Sequence, residues 1–148
     1  MSQHPTRRRA KPLLQFFDDI NAFRDDAHMA AWQHFGLAGY AWEAFALLCG
    51  GAAHTAAQVF EQLQHRGYSR AEYGAALNQL AERGWLEHTG DSYQPTETGR
   101  AAHSSAERLT DLYFYRPWEV LSSSEENELH ALLCRLRDSA PAEKEEAA

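Results

Sequence analysis

One short segment carries polar side chains at a spacing that would let a helix contact DNA bases. Its apolar residues, which would face a core, are Tyr73, Leu77 and Leu80. The opposite side of the helix would then carry Arg70, Ala71, Ala75, Asn78 and Gln79. Asn78 and Gln79 each have the amide donor and acceptor that pair with adenine in the major groove, and Arg70 could contact a phosphate. The small alanines would allow close approach, so the segment is a candidate recognition helix.

The charge around this segment opposes DNA binding, because neutralised phosphates supply much of a protein's affinity for DNA. Residues 52–100 contain Arg66, Arg70, Arg83 and Arg100 against Glu61, Glu72, Glu82, Glu87, Asp91 and Glu97, and the whole chain has a net charge of −7. Residues 85–96 contain no lysine or arginine. A basic cluster near the N-terminus could compensate, or could be only a solvated tail; it consists of Arg7, Arg8, Arg9 and Lys11. DNA binding, and binding of a protein or small molecule instead of DNA, both remain open.

A row of possible metal ligands follows later in the chain. His103, Glu107 and Asp111 are four residues apart, so on a helix they would share one face. Histidine and carboxylate side chains bind zinc, which makes the row a candidate metal site. The same residues could instead form an ion network with Arg24 or Arg108, or simply face water.

Aromatic residues concentrate in the segments that flank the candidate recognition helix. They include Trp32, Tyr40, Trp42, Phe45, Tyr113 and Trp118. Such a cluster could line a pocket for a small aromatic molecule. Core packing uses the same residue types and is the alternative explanation.

Other kinds of chemistry have little support. Cys49 and Cys134 have no metal-ligand spacing, which favours two buried thiols over a redox pair or sensor. No catalytic triad, phosphate-binding glycine loop or zinc spacing indicates an enzyme or a bound cofactor. No apolar run approaches the ~20 residues of a membrane span, and the polar, basic start is unlike a secretory signal. We therefore expect a cytoplasmic protein that is not an enzyme.

The apolar spacing predicts the helices that would position these residues. One helix is predicted over residues 13–35 and a second over residues 40–49, ended by a glycine pair. Two short helices should follow, because Thr55 with Gln58 and Ser69 with Glu72 have the pattern of capping boxes. Gly67 lies between them, and two short helices joined by a tight turn form a helix-turn-helix.

The apolar period then changes from 3.6 to 2, which predicts a β-hairpin, or wing, over residues 85–95. Thr96 is the expected N-cap of a long helix that reaches Tyr115, and Pro117 prevents its continuation. A third capping box, Ser122 with Glu125, should begin a last helix. The apolar face of that helix would consist of Leu129, Leu132, Leu133 and Leu136.

This order of elements resembles the MarR-type winged-helix regulators over nearly the whole ordered chain. The matching segments are LNQLAERGWLEHTGDSYQPTETGR (Leu77–Arg100) and LSSSEENELHALLCRL (Leu121–Leu136). The first resembles the end of their recognition helix, the wing and its exit, and the second resembles their last dimerisation helix. The segments FRDDAH, RGYS, ERGWL, TETGR, ERLTD and RPWEVL are also similar to the C-terminal half of an uncharacterised bacterial family with winged-helix-like ends.

The resemblance implies a mainly α fold with a small β-hairpin, in which dimerisation helices flank a winged helix-turn-helix. We expect a basic disordered arm over residues 1–12, a single winged-helix domain over 13–138 and an acidic disordered tail over 139–148. The function implied is a transcriptional regulator that binds double-stranded DNA as a homodimer. A small aromatic effector would bind near the dimer junction, and some regulators of this type hold zinc on the long helix.

Overall fold

The computed structural model describes the backbone of residues 6–139 and the side chains of residues 13–139. Its elements, in chain order, are α1 (Thr6–Gln33), α2 (Gly39–Cys49), α3 (Ala56–Leu63), α4 (Arg70–Glu82), β1 (Leu86–Thr89), β2 (Ser92–Pro95), α5 (Glu97–Tyr115) and α6 (Ser123–Ser139). Short 3-10 turns follow α3 at Gln64–Arg66 and α5 at Arg116–Val120. The mainly α fold with one hairpin is therefore confirmed.

The first helix differs most from its predicted bounds. Helix α1 begins at Thr6, not near Leu13, so the backbone of residues 6–12 is helical although the sequence pattern assigns it to the arm. Apolar periodicity begins only at Leu13, and this is why the pattern misses the first turns. The remainder of the expected arm, and residues 140–148 of the expected tail, lie outside the described residues.

Side-chain caps fix the helix starts around the helix-turn-helix. At α4 the Ser69 hydroxyl accepts from the Glu72 backbone N–H at 3.2 Å, and the Glu72 carboxylate accepts from the Ser69 N–H at 2.7 Å. At α3 only half of the predicted box forms. Thr55 accepts from the Gln58 N–H, but the Gln58 side chain accepts from the N–H of His54, one residue earlier than predicted.

The core is built from α2, α3, α4 and the hairpin. The predicted inner face of α4 is fully buried and consists of Tyr73, Ala76, Leu77 and Leu80. From α2, Phe45 and Trp42 reach the same cluster, and Val59 and Leu63 join it from α3. Burial of this much apolar surface is the main stabilising contribution to the fold.

The hairpin is tied to the start of α5 by a close backbone approach. Antiparallel register pairs Leu86 with Pro95 and His88 with Tyr93. Thr96 caps α5 as predicted, because its hydroxyl accepts from the Gly99 N–H at 3.0 Å. A side chain at Gly99 would overlap the Trp85 carbonyl, so this contact requires glycine.

Contacts divide the chain into two compact units, one ending at Phe114 and one beginning at Tyr115. The first unit holds the helix-turn-helix, the hairpin and nearly all of α5. The second holds α6, whose start is capped by Ser122 and Glu125 as predicted. The single domain expected over residues 13–138 remains a prediction. Among the described residues, no helix is both long enough and apolar enough to cross a membrane.

Candidate nucleic-acid interface

The outer face of α4 is exposed, as its pattern predicts. The described side chains of Arg70, Ala71, Ala75, Asn78 and Gln79 are all exposed. Gly74 lies among them, and a Cβ placed there would meet only the Ala56 side chain at 3.8 Å. Helix α4 therefore presents a narrow surface of small residues followed by two amides, which a major groove could accommodate.

Asn78 has a structural partner that the sequence did not reveal. Its side-chain oxygen accepts a hydrogen bond of 2.7 Å from the hydroxyl of Tyr93 on β2. Burial raises the pKa of Tyr93, and the nearby Asp91 carboxylate raises it further, so the phenol keeps the proton it donates. Asn78 thus joins α4 to the hairpin, and one lone pair of its oxygen is already used. Gln79, with no such partner among the described residues, is the freer of the two amides.

Two of the four arginines counted between residues 52 and 100 are engaged within the protein. Arg66 forms a two-pronged pair with Glu43 of α2, with the closest N–O distance at 2.7 Å. Arg83 donates to the carbonyl oxygen of Phe35 at 2.7 Å and lies over the ring of Trp85. Of the four arginines, Arg70 and Arg100 are exposed and have neither an ion pair nor a side-chain hydrogen bond among the described residues. The Glu43 carboxylate neutralises the charge of Arg66, whereas Arg83 keeps its charge but has its side chain held against the protein.

The basic cluster near the N-terminus lies at the start of α1. Arg7, Arg8, Arg9 and Lys11 belong to the first turns of α1, but their side chains lie outside the described residues. Their expected role in DNA binding remains a prediction.

The predicted metal row does not assemble. Glu107 lies 4.0 Å from His103 and 4.0 Å from Arg24 of α1, whereas no contact joins Asp111 to either residue of the row. Among the described residues, no three metal-binding side chains lie close enough together to hold an ion. The ion network with Arg24, which the sequence left as an alternative, is the arrangement that forms.

Next to this network lies a relay of hydrogen bonds that sequence reasoning missed. Trp42 donates to Nε2 of His28 at 3.3 Å, which leaves the proton of a neutral imidazole on Nδ1. That nitrogen lies 3.0 Å from the Thr110 hydroxyl, which in turn donates to the Ala106 carbonyl at 2.9 Å. The relay joins α1, α2 and α5. Because 82 residues separate His28 from Thr110, no local pattern could reveal it.

The candidate aromatic pocket is largely core. Trp42 is 3% exposed and stacks on Trp32 with a 5.9 Å centroid distance, and Phe45 is fully buried against it. Tyr40 is partly buried against the same core and stacks on Tyr68 at 4.3 Å. The remaining two candidates are Tyr113, exposed on α5, and Trp118, in the 3-10 turn of the second unit. Core packing therefore accounts for four of the six residues.

The two cysteines are free and half-buried. Burial raises the pKa of Cys49 to about 11, partly offset by Arg100, so this thiol stays protonated and unreactive at neutral pH. Both thiols are thus less buried than predicted, and the sulfur of Cys134 lies 3.7 Å from Nε2 of His130, one turn earlier on α6.

Comparison with known proteins shows which family this chain belongs to and which solved structures have a similar fold. A model described as a helix-turn-helix family matches residues 4–145, so the chain belongs to that helix-turn-helix family. The chain is similar in structure to the multiple antibiotic-resistance repressor MarR of Listeria monocytogenes, with a TM-score of 0.77, 13% identity and coverage of 90% of this chain and 96% of that one. No curated protein sequence matches it.

Two further structures are similar to the chain at 19% identity. A MarR family protein of Mycobacterium tuberculosis, in complex with DNA, has a TM-score of 0.56 and coverage of 84% of this chain and 97% of that one. CouR of Rhodococcus jostii, bound to p-coumaroyl-CoA, has a TM-score of 0.50 and coverage of 86% and 93%. At these identities the likeness concerns the fold, and the resemblance to MarR-type winged-helix proteins is confirmed at that level.

Proposed function

We propose that this protein is a winged-helix transcriptional regulator that binds double-stranded DNA as a homodimer. The observation that carries the proposal is the exposed face of α4, where small residues precede Asn78 and Gln79 beside a hairpin anchored by Tyr93. Membership of a helix-turn-helix family supports it. So does the similar fold of the DNA-bound M. tuberculosis protein.

The distribution of charge favours a second candidate, a winged-helix module that binds a protein or small molecule and not DNA. Arg66 and Arg83 already bond within the protein, which leaves the helix-turn-helix and hairpin short of cations. If DNA is bound, much of the affinity must come from Arg7, Arg8 and Arg9. The salt dependence of binding separates the candidates, since each phosphate contact adds roughly 0.9 to the slope of log affinity against log salt.

A decisive experiment measures fluorescence anisotropy of labelled genomic fragments from beside the gene over a salt series. The variant in which Arg7, Arg8 and Arg9 are all glutamine should flatten the slope by about three units and weaken all sequences alike. Arg108→Gln, an exposed site on α5, is the control and should leave the slope nearly unchanged. Absence of salt-dependent binding by the intact protein would favour the second candidate.

The homodimer is proposed from apolar side chains that each unit leaves exposed. On α6 these are Leu132, Leu133 and Leu136, which are 46%, 41% and 38% exposed. Helix α1 likewise exposes Leu14 (62%) and Phe16 (45%). Monomeric proteins rarely leave large apolar patches in water, and a second copy of the chain would cover them. Light scattering at micromolar concentration should give twice the 16.7 kDa of one chain; a mass of one chain would refute the dimer.

The most detailed part of the proposal is that the protein binds a small aromatic effector. The aromatic cluster around Trp42 supports it, as does the similarly folded CouR, which is bound to p-coumaroyl-CoA. Binding near this cluster should quench tryptophan emission saturably when phenolic acids or their thioesters are added. Trp42→Phe should remove the largest part of the change, whereas a flat titration across the panel would exclude this effector class.

A further inference from the structure

The two faces of the hairpin differ in charge. Successive side chains of a strand point to opposite faces, and residues directly opposite in an antiparallel pair share one face. His88 is paired with Tyr93, and Glu87 with Gln94. His88 therefore lies on the same face as Tyr93, and the carboxylate of Glu87 lies on the other.

The face that carries His88 is the one turned toward α4. The imidazole of His88 stacks on the Tyr93 ring with 4.1 Å between centroids and 5° between planes. Tyr93 is 5% exposed, and its hydroxyl donates to Asn78 on α4. Its backbone N–H also donates to the His54 carbonyl at 2.8 Å. His88 is thus an exposed imidazole held on a buried, doubly anchored ring beside the outer face of α4.

His88 is also the residue of the hairpin that can become a cation. Residues 85–96 contain no lysine or arginine, and His88 is their one histidine. Histidine gains its charge between about pH 5 and 8. The ionisable groups on the elements that adjoin the hairpin include the Tyr93 phenol on β2, Asp91 in the turn, His54 before α3, and Glu82, one turn beyond Asn78 on α4.

We propose that His88 is the phosphate-binding residue of the hairpin, so that the protein binds DNA more tightly as the pH falls. The proposal rests on the DNA-binding function proposed above. Protonated His88 donates a charge-assisted hydrogen bond to a phosphodiester oxygen of a duplex that lies along α4. The neutral imidazole offers the phosphate no charge, which is why the hairpin contributes little at higher pH.

The test uses a labelled mixed-sequence duplex of about 30 base pairs, because phosphate contacts do not depend on sequence. Anisotropy is measured near pH 6 and pH 8 over a salt series. The wild-type protein should bind about tenfold more tightly near pH 6, with a salt slope steeper by about 0.9 than near pH 8. His88→Gln should remove most of both differences.

Two further variants guard against a general charge effect or a damaged hairpin. His88→Arg carries a permanent charge, so near pH 8 it should bind about as tightly as the wild type does near pH 6. His65→Gln changes another exposed histidine, in the 3-10 turn between α3 and α4, and should retain the pH dependence. Circular dichroism at both pH values verifies that each variant is folded.

The outcomes separate this inference from the function on which it rests. Salt-dependent binding whose pH response survives His88→Gln, or disappears equally in His65→Gln, would overturn the role of His88 and leave DNA binding intact. Failure of His88→Arg to restore binding near pH 8 in a folded protein would also overturn it. No binding at either pH by the wild type would contradict the DNA-binding function itself.

Discussion

Helices α4 and α6 both begin with a serine–glutamate capping box and both carry an apolar face at helical spacing. On α4 the face is closed, and Leu77 and Leu80 are at most 1% exposed. On α6 the corresponding leucines are open, with Leu132 and Leu133 46% and 41% exposed. Periodicity therefore shows that a helix has a face to bury but not what will bury it. For α4 the partners are α2, α3 and the hairpin; for α6 we propose a second copy of the chain.

The largest expected effect tests the closed face. Leu77→Ala leaves a cavity among fully buried neighbours and should lower the free energy of unfolding by about 2–5 kcal/mol. The same truncation at Leu133 removes a side chain that is 41% exposed and should cost less than about 1 kcal/mol at low protein concentration. Urea denaturation at a fixed, low concentration measures both. Equal losses would show that α6 is buried within its own chain and would break the comparison.

The next experiment tests how tightly the start of α5 packs against the residue that precedes the hairpin. Gly99→Ala forces a methyl group into the Trp85 carbonyl and should cost about 1–3 kcal/mol, because backbone must move. Gly74→Ala is the matched control, since its Cβ meets only Ala56 at 3.8 Å and alanine is the better helix former. A gain of about 0.5–1 kcal/mol is expected there. A destabilised Gly74→Ala would mean that α4 is packed more tightly than the structure shows.

These residues also show what a sequence can and cannot predict. The capping box at Ser69, the buried face of α4 and the hairpin depend on neighbours within a few residues, and all were predicted. The bond from Arg83 to Phe35 spans 48 positions and that from Arg66 to Glu43 spans 23. Such contacts arise only when separate elements meet, so no periodicity encodes them. The prediction that Asn78 reads a base did not include its hydrogen bond to Tyr93, because that bond also joins two separate elements.

A third experiment tests the open face directly. Leu133→Asp places a charge in the middle of the exposed leucines of α6 and should weaken self-association at least tenfold, about 1.4 kcal/mol. Its own-chain stability should change little, since the site is 41% exposed. Light scattering over a dilution series measures the shift. Arg135→Asp, an exposed charged position on the same helix, is the control. An unaltered mass for Leu133→Asp would show that α6 is not the dimer surface.

The smallest effect compares the two capping boxes themselves. Ser69→Ala removes the acceptor for the Glu72 N–H and should lower the free energy of unfolding by about 1 kcal/mol. Ser122→Ala removes the equivalent bond on α6 and should cost less in the main unfolding transition, because the helix it begins buries less apolar surface.

The pH dependence of the free energy of unfolding tests the two capping boxes further. Hydrogen bonds from the Ser69 backbone and hydroxyl lower the pKa of Glu72, whereas an unfolded glutamate titrates near pH ~4.3. The stabilisation is therefore complete above that pH and is lost as the pH falls through the lower pKa of the folded state. Glu72→Gln should accordingly differ from the wild type more near pH 7 than near pH 3, as judged by urea midpoints. A difference that grows on acidification would mean that the carboxylate is not held by Ser69 in solution. The carboxylate of Glu125 is held in the same way by Ser122, so Glu125→Gln should show the same sign with a smaller amplitude.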